Sequence, residues 1–313
     1  MRALLIVNPR ATSTTQLRRD VIARALASEL VLEVVLTRYR GHACTFAEEA
    51  AQAGYGLVLT LGGDGTVNEA VNGLLRAHPP GPGAQAARPA LAAIPGGSAN
   101  VFTRALGLPA DAVDATGRIL AALVAGRERS ISVGLADDRY FTFNAGLGFD
   151  AEVVRAVEGL RADGQTATAA LYLWTAIRHF YGVTDRRQPS LTLERDGKPV
   201  ADRLFFVIVS NAAPWTYLGR RPVNPSPAAG FDTGLDVFAL RSMNTFHALN
   251  TLRQMLGFGG GSPAGKYNLS LHDQTCFTLR AARPIAFQVD GEYVGEREHV
   301  TFQAVPDALR VIA

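Results

Sequence analysis

The sequence predicts an α/β domain built on a parallel sheet, followed by a β-rich antiparallel sandwich domain, and three observations carry that prediction. Residues 1–126 alternate short, wholly apolar runs with helical stretches, the pattern of strands buried on both faces. Residues 127–306 instead carry short runs with alternating character, the pattern of half-buried antiparallel strands. A length of 313 residues suits two domains, each able to bury its own core.

The first part reads as strand Ala3–Val7, helix Gln16–Leu30, strand Val31–Leu36, helix His42–Ala53 and strand Leu57–Leu61. It continues with helix Thr66–Arg76, strand Ala90–Ile94, helix Ala99–Leu106 and helix Asp111–Ala125. Between them, His78–Pro89 is rich in Pro, Gly and Ala and reads as a surface loop. In the second part, strands are expected at Tyr140–Asn144, Ser190–Arg195, Leu204–Ser210, Leu235–Leu240, Thr275–Leu279, Ile285–Val289 and Val300–Ala304. Asp196-Gly197 has the composition of a tight hairpin turn. Two helices, about Thr166–Tyr181 and Thr245–Leu256, interrupt this domain, and the tail 307–313 either finishes it or returns to the first.

Apolar residues make up 48% and charged residues 19%, which excludes a disordered chain. The net charge of +3 and a pI near 9.0 come from scattered arginines without a polybasic run, so nucleic acid is not an expected partner. Weak attraction to an anionic membrane surface is compatible with that excess. No run approaches the roughly 20 apolar residues of a membrane-spanning helix, and the N-terminal residues read as a first strand. The expected location is cytoplasmic, with peripheral contact at the inner face of the membrane. Cys44 and Cys276, far apart and outside any CxxC spacing, read as buried thiols in a reducing compartment.

The chemistry concentrates at Gly62-Gly63-Asp64-Gly65-Thr66, between an apolar strand and a helix with Val67, Val71, Leu74 and Leu75 as its stripe. Strand, glycine turn and helix together place unsatisfied N–H groups where an anion can reach them. Glycines remove Cβ collisions with phosphate oxygens, and Asp64 inside a phosphate cradle makes sense with Mg²⁺ between the two. The plainer alternative is a Gly-rich turn in which Asp64 caps the helix. Asn68, Glu69 and Asn72 add polar groups that amphipathicity alone does not require.

Leu61–Leu74, LGGDGTVNEAVNGL, resembles the nucleotide-binding signature of the diacylglycerol kinase catalytic-domain family, which includes bacterial lipid kinases, sphingosine kinases and ceramide kinases. Further matches follow in order over nearly the whole chain: Asn8-Pro9, Ile94–Asn100, Phe143–Asp150, Phe231–Val237 and Asp290-Gly291-Glu292. The resemblance implies an N-terminal domain of the NAD kinase/diacylglycerol kinase-like fold and ATP bound across the carboxyl ends of its strands. The matching positions are Asn8, Pro9, Arg10, Ala11, Thr12, Thr37, Gly62, Gly63, Asp64, Gly65, Thr66, Val67, Asn68, Glu69 and Ser98. Ser98 is equally readable as a helix N-cap, and Glu69 as a solvated helix residue.

The resemblance further implies Glu292 as the proton acceptor, Asp290 as its helper and Asp64 on the side of a catalytic Mg²⁺. Strand alternation sends Asp290 and Glu292 in similar directions, and repulsion between them is expected to raise one pKa. The competing reading is a charged hairpin turn. A second, structural Mg²⁺ is implied at Asp232 with the backbone oxygens of Ala229 and Gly234, while Asp236 reads as packing or capping locally. The implied acceptor is a lipid, and a homodimer is left open. The aromatic helix 166–181 reads first as core, with an acyl-chain groove as the alternative, and Trp215–Gly219 as a rim.

Two departures from the family pattern stand out: Asn8–Thr12 lacks the usual Ser-Gly pair, and Val101 stands where many diacylglycerol kinases carry Asp. NAD kinase shares the GGDG loop, but the second domain has no GSTAY-like segment. A silent lipid-binding protein of the same fold is opposed by the joint presence of Asp64, Glu69, Asp290 and Glu292.

Overall fold

The computed structural model describes every residue except 13, 82, 164, 166, 167, 220 and 258–260. Two compact units divide it, one formed by residues 1–133 with 305–313 and the other by residues 134–304, against sequence boundaries expected at 126 and 306.

The first unit runs β1 (Arg2–Val7), α1 (Gln16–Ala27), β2 (Val31–Leu36), α2 (His42–Gln52), β3 (Leu57–Gly62), α3 (Asp64–Ala77), α4 (Ala84–Ala87), β4 (Ala90–Pro95), α5 (Val101–Ala105) and α6 (Ala112–Val124). Its sheet has the order β4-β3-β1-β2 with every pairing parallel, so the loops after all four strands open at one end. All six residues of β3 and of β4 are buried, which explains their unbroken apolar character. Ile22 and Leu26 of α1 and Ile119 of α6 pack with Leu5, Leu59 and Ile94 in one core. Helix α1 stops at Ala27, short of the expected Leu30, because the Ser28 hydroxyl donates to the Ala25 carbonyl and the N–H groups of Glu29 and Leu30 both return to Leu26. The 78–89 segment is a loop holding one turn of helix, α4.

The second unit begins within β5 (Arg129–Ala136) and runs β6 (Arg139–Phe141), β7 (Asn144–Gly148), α7 (Phe149–Ala162), α8 (Ala169–Gly182), β8 (Leu191–Arg195), β9 (Lys198–Leu204), β10 (Phe206–Ser210), β11 (Thr216–Leu218), β12 (Arg221–Val223), β13 (Leu235–Leu240), α9 (Thr245–Met255), β14 (Asn268–Gln274), β15 (Cys276–Val289) and β16 (Glu292–Val311). Strands β14-β13-β10-β7-β15-β16 are neighbours, all antiparallel. The β8–β9 hairpin turns at Asp196-Gly197, both at positive φ (50° and 71°), and joins β15 through β8. Phe141, Phe277, Phe287 and Phe302 fill the sandwich core, with the Phe277 and Phe302 rings stacked at 5.3 Å.

Several expectations need correction here. Thr275–Leu279 and Ile285–Val289 are one strand, β15, with a register shift between Arg280 and Ile285. Helix α7 was not expected: its apolar positions Val153, Val154 and Val157 do carry helical spacing, but they follow directly on a glycine-rich strand. The expected helix start at Thr166 lies outside the described residues, and α8 opens at Ala169 with Thr168 as N-cap. Cys276 is exposed, whereas Cys44 is buried as expected. The tail belongs to the first unit, where Val311 pairs parallel to Leu91 of β4 and the Ile312 N–H bonds the Leu91 carbonyl at 2.9 Å.

Candidate functional site

In the first unit, the loops after β1, β3 and β4 meet. Asn8 N–H bonds the Leu61 carbonyl at 2.9 Å, Asn8 Nδ2 bonds Thr66 Oγ1 at 3.2 Å, and Gly96 N–H bonds the Gly62 carbonyl at 2.7 Å. The two glycine pairs touch backbone to backbone: a Cβ on Gly97 would stand 2.7 Å from Gly63 Cα, and one on Gly96 3.0 Å from Gly62 Cα. Helix α3 has Gly63 as N-cap and no side-chain cap, leaving its N-terminus open to an anion. Thr14 Oγ1, buried and without a hydrogen-bond partner, lies 2.7 Å from where the Gly96 Cβ would be. An orphaned hydroxyl beside an uncapped helix end and a Cβ-free surface fits a phosphate group. Gly97→Ala is expected to cost about 1–3 kcal/mol in a denaturant titration, since one loop must shift; unchanged stability would show that the loops do not constrain each other.

Both carboxylates of the motif cap neighbouring helices. Asp64 accepts from the N–H groups of Val101 and Phe102, each at 3.1 Å, at the start of α5, whose own N-cap is Asn100 and not Ser98. Ser98 is exposed and lies before that cap. Asn100, at φ 48°, clamps the Gly97 peptide through both side-chain atoms at 2.8 Å. Glu69 accepts from Gly41 N–H at 2.7 Å and Ala43 N–H at 3.1 Å, and so supplies the cap that α2, with Gly41 at its N-cap position, lacks. One helical turn on, a Cβ on Gly73 would meet the Cys44 carbonyl at 2.2 Å, so the same face of α3 presses on α2. Thr37 follows β2, its N–H bonded to the Val7 carbonyl, while Pro9, Arg10 and Thr12 are exposed in the loop after β1 and Ala11 is half-buried there. Neither Thr14 nor Asn100 was singled out from the sequence. Only their proximity to the glycine pairs marks them.

In the second unit, Asp290 and Gly291 form the two-residue turn between β15 and β16, with positive φ at both (47° and 76°) as a type I′ turn requires. The turn reading is therefore correct, and strand alternation does not carry through to Glu292. The Asp290 carboxylate is buried and accepts from Thr142 N–H (2.7 Å), Thr142 Oγ1 (2.8 Å), Phe143 N–H (3.0 Å) and Asn144 N–H (3.1 Å). Burial raises its pKa, and the donors from Phe143, Thr142 and Asn144 oppose that rise, so the expected mutual repulsion with Glu292 is not its main cause. Glu292, with its side chain 20% exposed, pairs with Arg139 Nη2 at 2.8 Å.

Beside this turn, Gln288 Nε2 donates to Asn144 Oδ1 (2.9 Å) and Asp150 Oδ2 (2.7 Å), while Gln288 Oε1 accepts from Gly291 N–H (2.9 Å). Asp150 folds back over Gly146, where a Cβ would stand 2.4 Å from Oδ2. Burial pushes its pKa from 3.8 up to about 6, only partly opposed by the Gln288 bond. A carboxyl with a raised folded pKa contributes stability that is full below the unfolded value and lost as pH rises through the folded one. Asp150→Asn is therefore expected to match the parent in acid and to exceed it above pH 6 by about 3 kcal/mol in pH-dependent denaturation; a pH-independent difference would contradict it.

Asp236 is buried and caps locally, Oδ1 meeting His272 Nδ1 at 2.7 Å and Asp273 N–H at 3.1 Å. Asp232 is exposed in the preceding turn; the Ala229 carbonyl accepts from Ala213 N–H at 3.2 Å and the Gly234 carbonyl from Thr233 Oγ1 at 3.3 Å, each keeping acceptor capacity. One carboxylate and two carbonyls are hard oxygen donors that suit Mg²⁺ with waters completing its shell. Among the described residues no three His, Cys, Asp or Glu side chains gather as a metal cluster. On α8, Leu173, Trp174, Ile177 and Tyr181 are exposed, so most of its large apolar side chains are not core as expected; Thr175 is buried, and Phe180 packs edge-on against Phe149. No described helix is long and apolar enough to cross a membrane.

Residues 2–136 match the model of the diacylglycerol kinase catalytic domain, and residues 144–313 match that of the YegS C-terminal NAD kinase beta sandwich-like domain. The chain belongs to the family of proteins that join these two domains. Family membership accounts for the order of the motifs and for the division into an α/β and a sandwich unit. A protein of Chromohalobacter salexigens named "Probable lipid kinase YegS-like" is 35% identical over 152 residues, 49% of this chain and 45% of its own length. A diacylglycerol kinase of Bacillus subtilis is 30% identical over 217 residues, 67% of this chain and 66% of its own. The chain thus spans less than half of the first relative's length. A solved diacylglycerol kinase structure from Bacillus anthracis shares the fold with a TM-score of 0.70 at 20% identity, covering 99% of this chain and 96% of that one.

Proposed function

We propose that this chain is an ATP- and Mg²⁺-dependent lipid kinase that transfers the γ-phosphoryl group of ATP to a lipid hydroxyl. The observation that supports it best is the meeting of Gly62-Gly63 and Gly96-Gly97 at the open N-terminus of α3, with Thr14 Oγ1 unpartnered beside them. Backbone N–H groups there hold phosphate oxygens, and Asn8, Arg10, Thr12, Thr37 and Ser98 surround the nucleotide. Mg²⁺, when bound with ATP, would supply the positive charge that offsets the phosphate charge during transfer. Asp64 orients the two loops by capping α5.

Glu292 accepts the proton of the attacking lipid alcohol, while Asp290 holds the turn that presents it. The acceptor is diacylglycerol, a sphingoid base, phosphatidylglycerol or a similar hydroxylated lipid, reached by peripheral contact at the cytoplasmic face of the membrane. Asp232, with the carbonyls of Ala229 and Gly234, holds a second Mg²⁺ with a structural role. Asp232→Ala is expected to remove the part of the Mg²⁺-induced rise in melting temperature that appears without nucleotide; a rise equal to the parent's would refute this site.

The activity is tested with purified protein, Mg²⁺, labelled ATP and an extracted lipid pool, the product being identified by mass spectrometry. Label in a lipid phosphate ester is the expected result. Label in NAD alone, or in no lipid, would overturn the reading.

A further inference from the structure

A cavity of about 560 Å³ lies wholly within the second unit, between the C-terminal end of α8 and the start of α9. Four arginines line it, Arg186 and Arg187 from the segment after α8, Arg203 from β9 and Arg241 after β13, against one carboxylate, Asp185. That carboxylate is already engaged: Oδ1 accepts the N–H groups of Arg187 and Gln188 at 2.9 and 3.3 Å, and Oδ2 stands 3.7 Å from Arg283. Arg186 lies over the rings of Phe180 and Tyr181, at 4.9 and 5.3 Å, which fixes its guanidinium without neutralising it. Among the described residues, the side chains of Arg203 and Arg241 have no ion-pair partner, while the charge of Arg187 acts on Asp185 together with that of Arg283. Arg203 adopts φ 56°, a conformation uncommon for a long side chain. The whole chain has a net charge of only +3, so gathering this much positive charge around one concavity is a local arrangement.

Guanidinium groups separated from carboxylates repel each other unless an anion joins them, and the planar fork suits phosphate oxygens. The N-cap of α9, Asn244, also lines the cavity, so the positive end of that eleven-residue helix adds to the same field. We propose that this cavity binds a phosphate group, carried either by a phospholipid headgroup or by a soluble phosphate ester. Tyr181 on its lining is 57% exposed and Phe246, in the first turn of α9, 82% exposed. Apolar side chains beside arginines suit the interface of an anionic bilayer, which makes the headgroup the source expected to respond.

The site is read directly as binding, with no nucleotide present, so the result is independent of the kinase reading. The full-length protein is compared with the Arg203→Gln/Arg241→Gln double variant and with Arg241→Glu, whose fold is checked by circular dichroism. One arm titrates glycerol phosphate by calorimetry; the other co-sediments protein with phosphatidylcholine vesicles with or without phosphatidylserine. The expected result is a loss of affinity of about tenfold or more in both variants for the serine-lipid vesicles. The same loss confined to glycerol phosphate would assign a soluble ester. Equal binding by parent and variants in both arms, or no binding by the parent in either, would overturn the proposal.

Discussion

Glu292→Gln is expected to lower the rate of phosphoryl transfer to lipid about 10²–10⁴-fold, the range associated with a positioned general base, and to leave the melting temperature close to the parent's. Glu292 opens β16 directly opposite Val289, and its carboxylate is held by Arg139 at 2.8 Å. Glutamine keeps the length of the side chain and an oxygen that accepts from Arg139. What it lacks is the capacity to take a proton from an alcohol. The measurement is single-turnover transfer from labelled ATP with saturating lipid, so that a change in acceptor binding does not mimic a change in chemistry. A variant within twofold of the parent would remove Glu292 from this role.

Asp290→Ala should show the opposite division, a loss of about 3–5 kcal/mol in folding stability, as when one partner of a buried charged network is removed. Its carboxylate answers three backbone N–H groups and one hydroxyl across Thr142–Asn144, and alanine would leave all four donors without that acceptor. Asp290→Asn keeps one acceptor oxygen but turns an NH₂ toward the remaining donors, so an intermediate loss is expected. Denaturant titration of the three proteins checks the order. If alanine costs less than about 1 kcal/mol, the carboxylate is not what fastens this turn to the β6–β7 connection.

The parallel sheet was legible because β3 and β4 are buried on both faces and so carry no polar alternation. The glycine loops were legible for a related reason, since a run of residues without Cβ has few other uses before a helix. What could not be read was where each carboxylate's oxygens would go. Asp64 and Glu69 look like ligand-side groups on a helix map, yet their partners are N–H groups 37 and 26 residues or more away in sequence, set by how α5 and α2 pack against α3. Helix α7 escaped because its first turn lies inside a motif, where Gly148, at φ 90°, turns strand into helix within one residue. Asp150 shows the same limit: its raised pKa depends on a burial that no local pattern announces.

The final residues carry a consequence in time. Val311 lies parallel to Leu91, and the segment 305–313 belongs to the first unit although all of residues 134–304 separate it from the rest. During synthesis, then, the α/β unit emerges early but waits through the translation of the whole sandwich for its closing strand. Until that strand arrives, the outer edge of β4 is a row of unpaired peptide groups open to any passing chain. Truncation in that short segment would leave the nascent unit in its most association-prone form, however complete its glycine loops.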